Sequence, residues 1–317
     1  MSAPAGGAAR PALGVGLVLA MALCFASLDT SAKLLGQTLP VLLVLWARYA
    51  IQAAIMGVWL AARRLRGGAN LFASAHPRFQ LLRGVLLLIT SALLYYGIQH
   101  MPVAEFTALG MLSPVLVTVM AALFLSEPVS AARGLLVVGG FVGALIVVRP
   151  GSGLFGWVAL WPLGVAATYA GFQLLTRRLA GHEHPLTTHF YTGLVGTAIV
   201  TAILWVSPLQ AAPVLAAAPP ATWALLVAAG VFGTAGHLCL ILAVGLAPLA
   251  VLMPFTYAQL AFAAFTGWLA FGHLPDGWAV LGMVVIAVCG AGSVWLNLRD
   301  GAAARRIDAS DAAPTAD

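Results

Sequence analysis

Charge is what this sequence has least of. Only 8% of its 317 residues are Asp, Glu, Lys or Arg, whereas a soluble domain carries about a quarter, so a packed core wrapped in a water-facing surface is excluded. The one lysine is Lys33. A phosphate-cradling loop needs a glycine-rich turn that ends in lysine before Ser or Thr, and Lys33 lacks that context, so ATP-driven work is excluded too. The three cysteines, Cys24, Cys239 and Cys289, fall inside apolar runs with no pairing or metal-ligand spacing, which leaves them as small packing residues. His182, Glu183 and His184 are adjacent, but Leu186 stands where a His-Glu-x-x-His zinc site needs its second histidine. Ser152, between two glycines, belongs to a short loop rather than a span, so no intramembrane protease centre is visible. The sequence therefore predicts no catalytic residue, metal or cofactor.

What is present is apolar: 62% of the chain is hydrophobic and the mean hydropathy is +1.01. The apolar residues fall into runs of about 18 to 24, each enough to cross about 30 Å of hydrocarbon at 1.5 Å per residue. Membrane-barrel strands alternate apolar and polar residues, but the stretch GLLVVGGFVGALIVV at 134–148 is apolar on every face. The runs are read as helices, an all-α membrane protein whose partner is the lipid bilayer. Ten spans are expected, near 12–35, 40–62, 79–99, 103–125, 131–148, 155–177, 186–206, 222–245, 249–271 and 277–297. The first contains Asp29 and Lys33 and has no clear cleavage site, so it reads as a span rather than a signal peptide.

A net charge of +6 and a pI near 9.7 suggest nucleic acid at first sight, but the basic residues sit between apolar spans without aromatic interleaving. They read as orientation signals. With the N-terminus inside, 12 of the 15 basic residues, Arg83 among them, are assigned to cytoplasmic segments, and only Arg149 falls in an outside loop. Both termini are thus expected in the cytoplasm of a bacterial inner membrane. The halves also echo each other: Gly36, Pro40 and Trp46 match Gly181, Pro185 and Tyr191 at one offset, and Pro102 and Ala104 match Pro248 and Ala250 at the next. Five spans per half is odd, so the second half enters from the opposite side, giving two inverted five-helix repeats around a central cavity. The expected organisation is a cytoplasmic N-terminus at 1–11, repeats at 12–148 and 149–297, and a disordered cytoplasmic tail at 298–317.

Ionisable groups inside spans are the candidate functional residues, because each costs several kcal/mol in hydrocarbon unless paired or hydrated. Asp29 and Lys33 are four apart on the first span, hence on one face. Arg48 and Glu105 complete a charge-balanced set. Gln52, Tyr95, Tyr96 and Gln99 are expected at similar depth, and Trp46 and Tyr49, on either side of Arg48, join the candidates. The second half contributes Trp161, Tyr169, Gln173, His189, Tyr191, His237, Tyr257 and Gln259. The charges either line a pathway or lock helices together as ion pairs. His237 is a substrate contact, a proton relay or a satisfied buried histidine, and aromatic faces suit stacking on a solute. Pro114 and Pro254 are expected inside spans, where each frees a carbonyl and bends the helix.

Several stretches together resemble the ten-helix EamA-type carriers of the drug/metabolite transporter superfamily, over about residues 12–297. They are the Asp29 and Lys33 pair, Trp46-Ala47-Arg48-Tyr49, MPVAEFTALGMLSPVLVTVMAALFLSEP at 101–128, QLLTRRLAG at 173–181, GTAGH at 233–237, APLAVLMPFTYAQL at 247–260 and GWLAFGHLPD at 267–276. The resemblance implies a secondary transporter of small organic metabolites working by alternating access, and it implies that the fifth and tenth spans are peripheral. Glu127 is as the family has it, while His273 replaces the expected glutamate of the second half. Amino-acid-like, vitamin-like or nucleoside-like solutes, riboflavin and S-adenosylmethionine among them, are the implied substrates, driven by a gradient, by exchange or by protons. A membrane-embedded enzyme or scaffold is the alternative.

Overall fold

The computed structural model describes residues 11–113, 115–116, 120, 131–149, 156–179, 182–244, 246 and 253–311. Pro114, Glu127, Ser152, Gly181, Pro248 and Ala250 lie outside the described residues, as does most of the fourth span beyond Leu116. The long elements are helices throughout: α1 (Pro11–Leu35), α2 (Val41–Leu65), α3 (Pro77–Gly97), α4 (Val103–Gly110), α5 (Ala131–Val148), α6 (Leu160–Leu179), α7 (Pro185–Val206), α8 (Ala211–Ala216), α9 (Pro220–Val244), α10 (Ala258–Phe271) and α11 (Gly277–Asp311). Six of the described helices are long and apolar enough to cross a membrane, namely those at 12–35, 41–65, 77–100, 156–176, 185–206 and 220–243.

Local chemistry sets the ends. Pro77 and Pro185 start α3 and α7, where their missing N–H removes no helical bond. The His184 side chain accepts from the Leu186 N–H and caps α7. Gly272, at φ +68°, takes the left-handed turn that ends α10. The short α8 lies within the 207–219 connection. Two expectations are corrected. Pro254 falls in a 3-10 turn at Met253–Tyr257 that precedes α10, rather than within an α-helix, a place where a residue without an N–H is tolerated. The last helix continues to Asp311, past residue 298 where a disordered tail is expected, because the Ala-rich, Arg-containing stretch has high helix propensity.

The most extensive helix contacts map onto one another when α1, α2, α3, α4 and α5 are exchanged in order for α6, α7, α9, α10 and α11. Thus α1 packs on α9 as α6 does on α3, α2 on α9 as α7 on α3, and α1 on α10 as α6 on α4, while α2–α7 and α5–α11 map onto themselves. The two helices α1 and α6 run in opposite directions: α1 ends at Lys33, beside Met101, whereas α6 begins with Trp161 stacked on Tyr96 at 6.4 Å near that same end. Of the seven exposed tryptophans among the described residues, Trp157, Trp205, Trp223 and Trp278 stand on the side that holds Lys33, as indoles at a membrane–water boundary do. Small residues bring the helices close. A Cβ on Gly193 of α7 would stand 2.8 Å from the Ala53 backbone nitrogen of α2, so that contact leaves room for hydrogen alone.

Polar groups inside the bundle are answered locally. Thr168, Thr176, Thr192, Thr197 and Thr234 each donate to a carbonyl four residues back, while the single Thr90 hydroxyl proton has two acceptors at 2.8 Å, the Leu86 carbonyl of its own helix and Thr168 Oγ1 across on α6. At the end opposite Lys33, the nearly buried Glu183 carboxylate ties two connections together, accepting from Ser74 Oγ at 2.5 Å and from the His76 N–H at 2.8 Å. Burial alone pushes this carboxyl up, but the hydrogen bonds from Ser74 and His76 outweigh it and hold the group below the ordinary carboxylate range.

Two outcomes are expected. Gly193→Val forces α2 and α7 apart and lowers the apparent melting temperature in detergent by an amount reflecting about 1–3 kcal/mol of overpacking, whereas Gly16→Ala, with nothing within 4 Å of the added carbon, leaves it unchanged. A depressed folded-state pKa contributes stability above the unfolded value and loses it as pH falls through the folded one. Glu183→Gln is therefore destabilising at pH 7, and the gap to the parent protein narrows as the pH drops below about 4; a constant gap across pH would contradict this account.

Candidate functional site

A cavity of about 280 Å³ opens at the centre of the bundle, lined from α1, α2, α3, α4, α6, α9, the 3-10 turn and α10. It brings together Asp29, Arg48, Tyr169, Gln173, His237 and Gln259 from the residues expected at a site. Phe25, Thr90, Ser91, Phe106, Thr107 and Met111 are among the others that join them, with no signal in the sequence to single them out. The wall is mostly apolar with a few convergent polar groups, the usual composition of a small-molecule site.

Arg48 and Asp29 are 4% and 5% exposed, and both face the cavity. Arg48 Nη1 donates to Ser91 Oγ at 3.1 Å, the guanidinium lies 4.6 Å above the Tyr49 ring, and Nε is buried without a hydrogen-bond partner. Tyr49 in turn reaches the Leu87 carbonyl at 3.0 Å and Ser91 Oγ at 2.8 Å, which fixes the platform beneath the arginine. Asp29 Oδ2 accepts from Thr107 Oγ1 at 3.3 Å and Gln259 Nε2 at 3.4 Å. Ion pairs among the described residues join Arg149 to Asp276, with His76–Glu183 and His273–Glu105 contacts besides. Asp29 and Arg48 are in none of them, so opposite charges share one cavity without closing on each other. The reading in which these two lock helices together by direct pairing does not describe their geometry.

His237 packs edge-on against Phe25 at 4.9 Å and stacks on His189 at 5.4 Å. Its Nδ1 lies 2.9 Å from the Gly233 carbonyl. A carbonyl only accepts, so Nδ1 carries the proton and the buried, unpartnered Nε2 presents a lone pair. Gly233 and Gly236 let α9 approach Arg48 and Phe25.

The remaining expected residues lie elsewhere. Lys33 and Gln99 line a second cavity of about 290 Å³ at the Lys33 end, with His100 and His273; Glu105 is buried behind it, bonded to His273 Nε2 at 3.1 Å. Tyr49, Gln52, Tyr95 and Tyr257 are buried around the central cavity without lining it, and Gln52 bonds His189 at 3.3 Å. Trp46 donates to Thr201 at 2.9 Å, Trp161 stacks on Tyr96, and Tyr191 bonds the Phe72 carbonyl at 3.1 Å. The single chamber expected from sequence is thus two cavities. Arg83, assigned from sequence to a cytoplasmic segment, is instead buried in α3, donating to Thr176 at 2.7 Å and Thr192 at 2.6 Å, with its guanidinium 4.4 Å above the Phe172 ring.

The sequence profile described as the EamA-like transporter family matches residues 12–149 and again 156–295. The chain belongs to the EamA-like transporter family. Its relatives include a riboflavin transporter of Vibrio cholerae, 27% identical over 88% of this chain and 92% of that protein. A pseudopaline exporter of Pseudomonas aeruginosa is 28% identical over 87% and 93%, and an S-adenosylmethionine uptake transporter of Rickettsia bellii is 24% identical over 86% and 90%. A solved crystal structure shares the fold with a TM-score of 0.61, at 17% identity, over 90% of this chain and 98% of that one. This EamA-like chain is accordingly a multi-pass membrane transporter, and the enzyme and scaffold readings are set aside.

Proposed function

We propose that this chain is a secondary carrier that moves a small zwitterionic or heteroaromatic metabolite across the bacterial inner membrane by alternating access. The observation that carries the reading is the pair Asp29 and Arg48, each almost fully buried, facing one cavity and held out of contact. A charge inside a span is disfavoured by about 2.5–3.5 kcal/mol on insertion scales, and direct pairing would be the cheapest relief. An open pair instead leaves Arg48 donors for a carboxylate and Asp29 for a cationic group, with Tyr169 and Phe106 beside the body of the solute. The relatives' names span a vitamin, a nucleoside-bearing amino acid and an exported solute, so direction and substrate are open within this class.

The exchange pattern of helix packing, the opposed directions of α1 and α6 and the two profile matches support ten spans in two inverted repeats, 12–148 and 149–297. The arginine distribution supports cytoplasmic termini. With no nucleotide loop, a solute gradient, exchange or proton coupling supplies the drive. Reconstituted into liposomes with riboflavin, S-adenosylmethionine and a panel of amino acids, the protein is expected to transport at least one of them. Arg48→Ala abolishes that transport while membrane expression persists. Vesicles silent to every solute, or loss of Arg48→Ala from the membrane, would overturn the assignment of Arg48 as a solute contact.

A further inference from the structure

The two cavities repeat one another's chemistry. Asp29 of α1 faces the central one, and Lys33, a single turn or about 6 Å further along α1, lines the other. The same one-turn step separates Gln259 from Ala263 on α10 and Thr107 from Val103 on α4, the earlier-named residue lining the central cavity in both cases. A single layer therefore divides them, held by Thr107 and Gln259 on Asp29 and by Thr30 on Thr266 at 2.8 Å. Each cavity has one cation and one carboxylate that make no ion pair with each other: Arg48 and Asp29 line the central one, while Lys33 lines the outer one and Glu105 lies buried behind it, reached through His273.

The outer pair has capacity to spare. Lys33 spends one donor on the Met101 carbonyl and lies 5.2 Å from the Phe271 ring centre, which leaves two of its three N–H groups. Glu105 gives Oε1 to His273, while its buried Oε2 has no partner. The His273 side chain is half exposed, so it is free to leave.

We propose that the cavity at Lys33 is a second docking station on the path, which holds the same class of solute by the same pairing of charges. Lys33 takes the carboxylate, and the solute's ammonium group displaces His273 from Glu105. Crossing the one-turn layer then hands the carboxylate from Lys33 to Arg48 and the ammonium from Glu105 to Asp29. This rests on the reading of Arg48 and Asp29 given above, and the following experiment separates the two.

In protein with Cys24, Cys239 and Cys289 replaced by alanine, reporters His100→Cys in the outer cavity and Met111→Cys in the central one are labelled with N-ethylmaleimide. The probes are S-adenosylmethionine, L-methionine and L-tryptophan, with uncharged riboflavin as control. At least one zwitterion is expected to slow labelling at both reporters about fivefold at a few times its Kd. Lys33→Gln removes protection of the outer reporter only, and Arg48→Gln that of the central one only. His273→Ala, which frees Glu105, strengthens outer protection and serves where Lys33→Gln does not fold. Central protection without outer protection sinks the second station and leaves the central reading standing. Outer protection alone sinks the central reading. Outer protection that survives Lys33→Gln or weakens in His273→Ala, or protection of neither reporter, overturns the station.

Discussion

In a hydrocarbon surround, an ionised side chain must be answered from within the protein, because no water waits outside to take over the work. The bundle answers its buried charges with neutral partners. Arg48 rests on Ser91 and the Tyr49 ring, Asp29 on Thr107 and Gln259, and Arg83 on three threonines of α6 and α7 and the Phe172 ring. Dipoles and ring faces steady a charge without cancelling it. The positions of α1, α2, α3 and α4 around the cavity follow from this, since each supplies one half of such a contact.

Close helix approach makes the arrangement affordable in space. Gly193 against Ala53, Gly196 against Tyr49 and Gly233 against Arg48 all occur where α2 meets α7 and α9, so the helix carrying Arg48 is gripped by small residues on two sides. Its arginine is thereby presented from a rigid element rather than a loop, the condition for orienting a charged solute.

Much of the fold was legible because hydrocarbon leaves few options: apolar runs of spanning length, prolines at helix starts and arginines between spans all carry direct physical meaning. Six of the eighteen residues singled out for the site line the central cavity. Lys33 was misplaced for a reason sequence spacing hides. A partner four residues away on a helix shares its face, yet the layer formed where Thr107 and Gln259 meet Asp29 puts the two in different cavities. Glu105 meeting His273, across 168 residues, has no local signal at all. Arg83 looked like a boundary marker because arginines near span ends usually are; only the threonines arriving from α6 and α7 reveal it as buried. Pro254 was read as a kink because a proline within an apolar run gives no sign that the chain makes a 3-10 turn there first.

The threonines that bond back to their own helices have a mechanical consequence. Where Thr90 meets Thr168 between α3 and α6, each hydroxyl also has a carbonyl of its own helix within 2.8 Å. A seam fastened this way can part without stranding a polar group in lipid, since the proton simply settles on the private acceptor. The energetic difference between joined and separated seams shrinks to a fraction of a full hydrogen bond, which suits the rocking between two shapes that the proposed carrier cycle calls for.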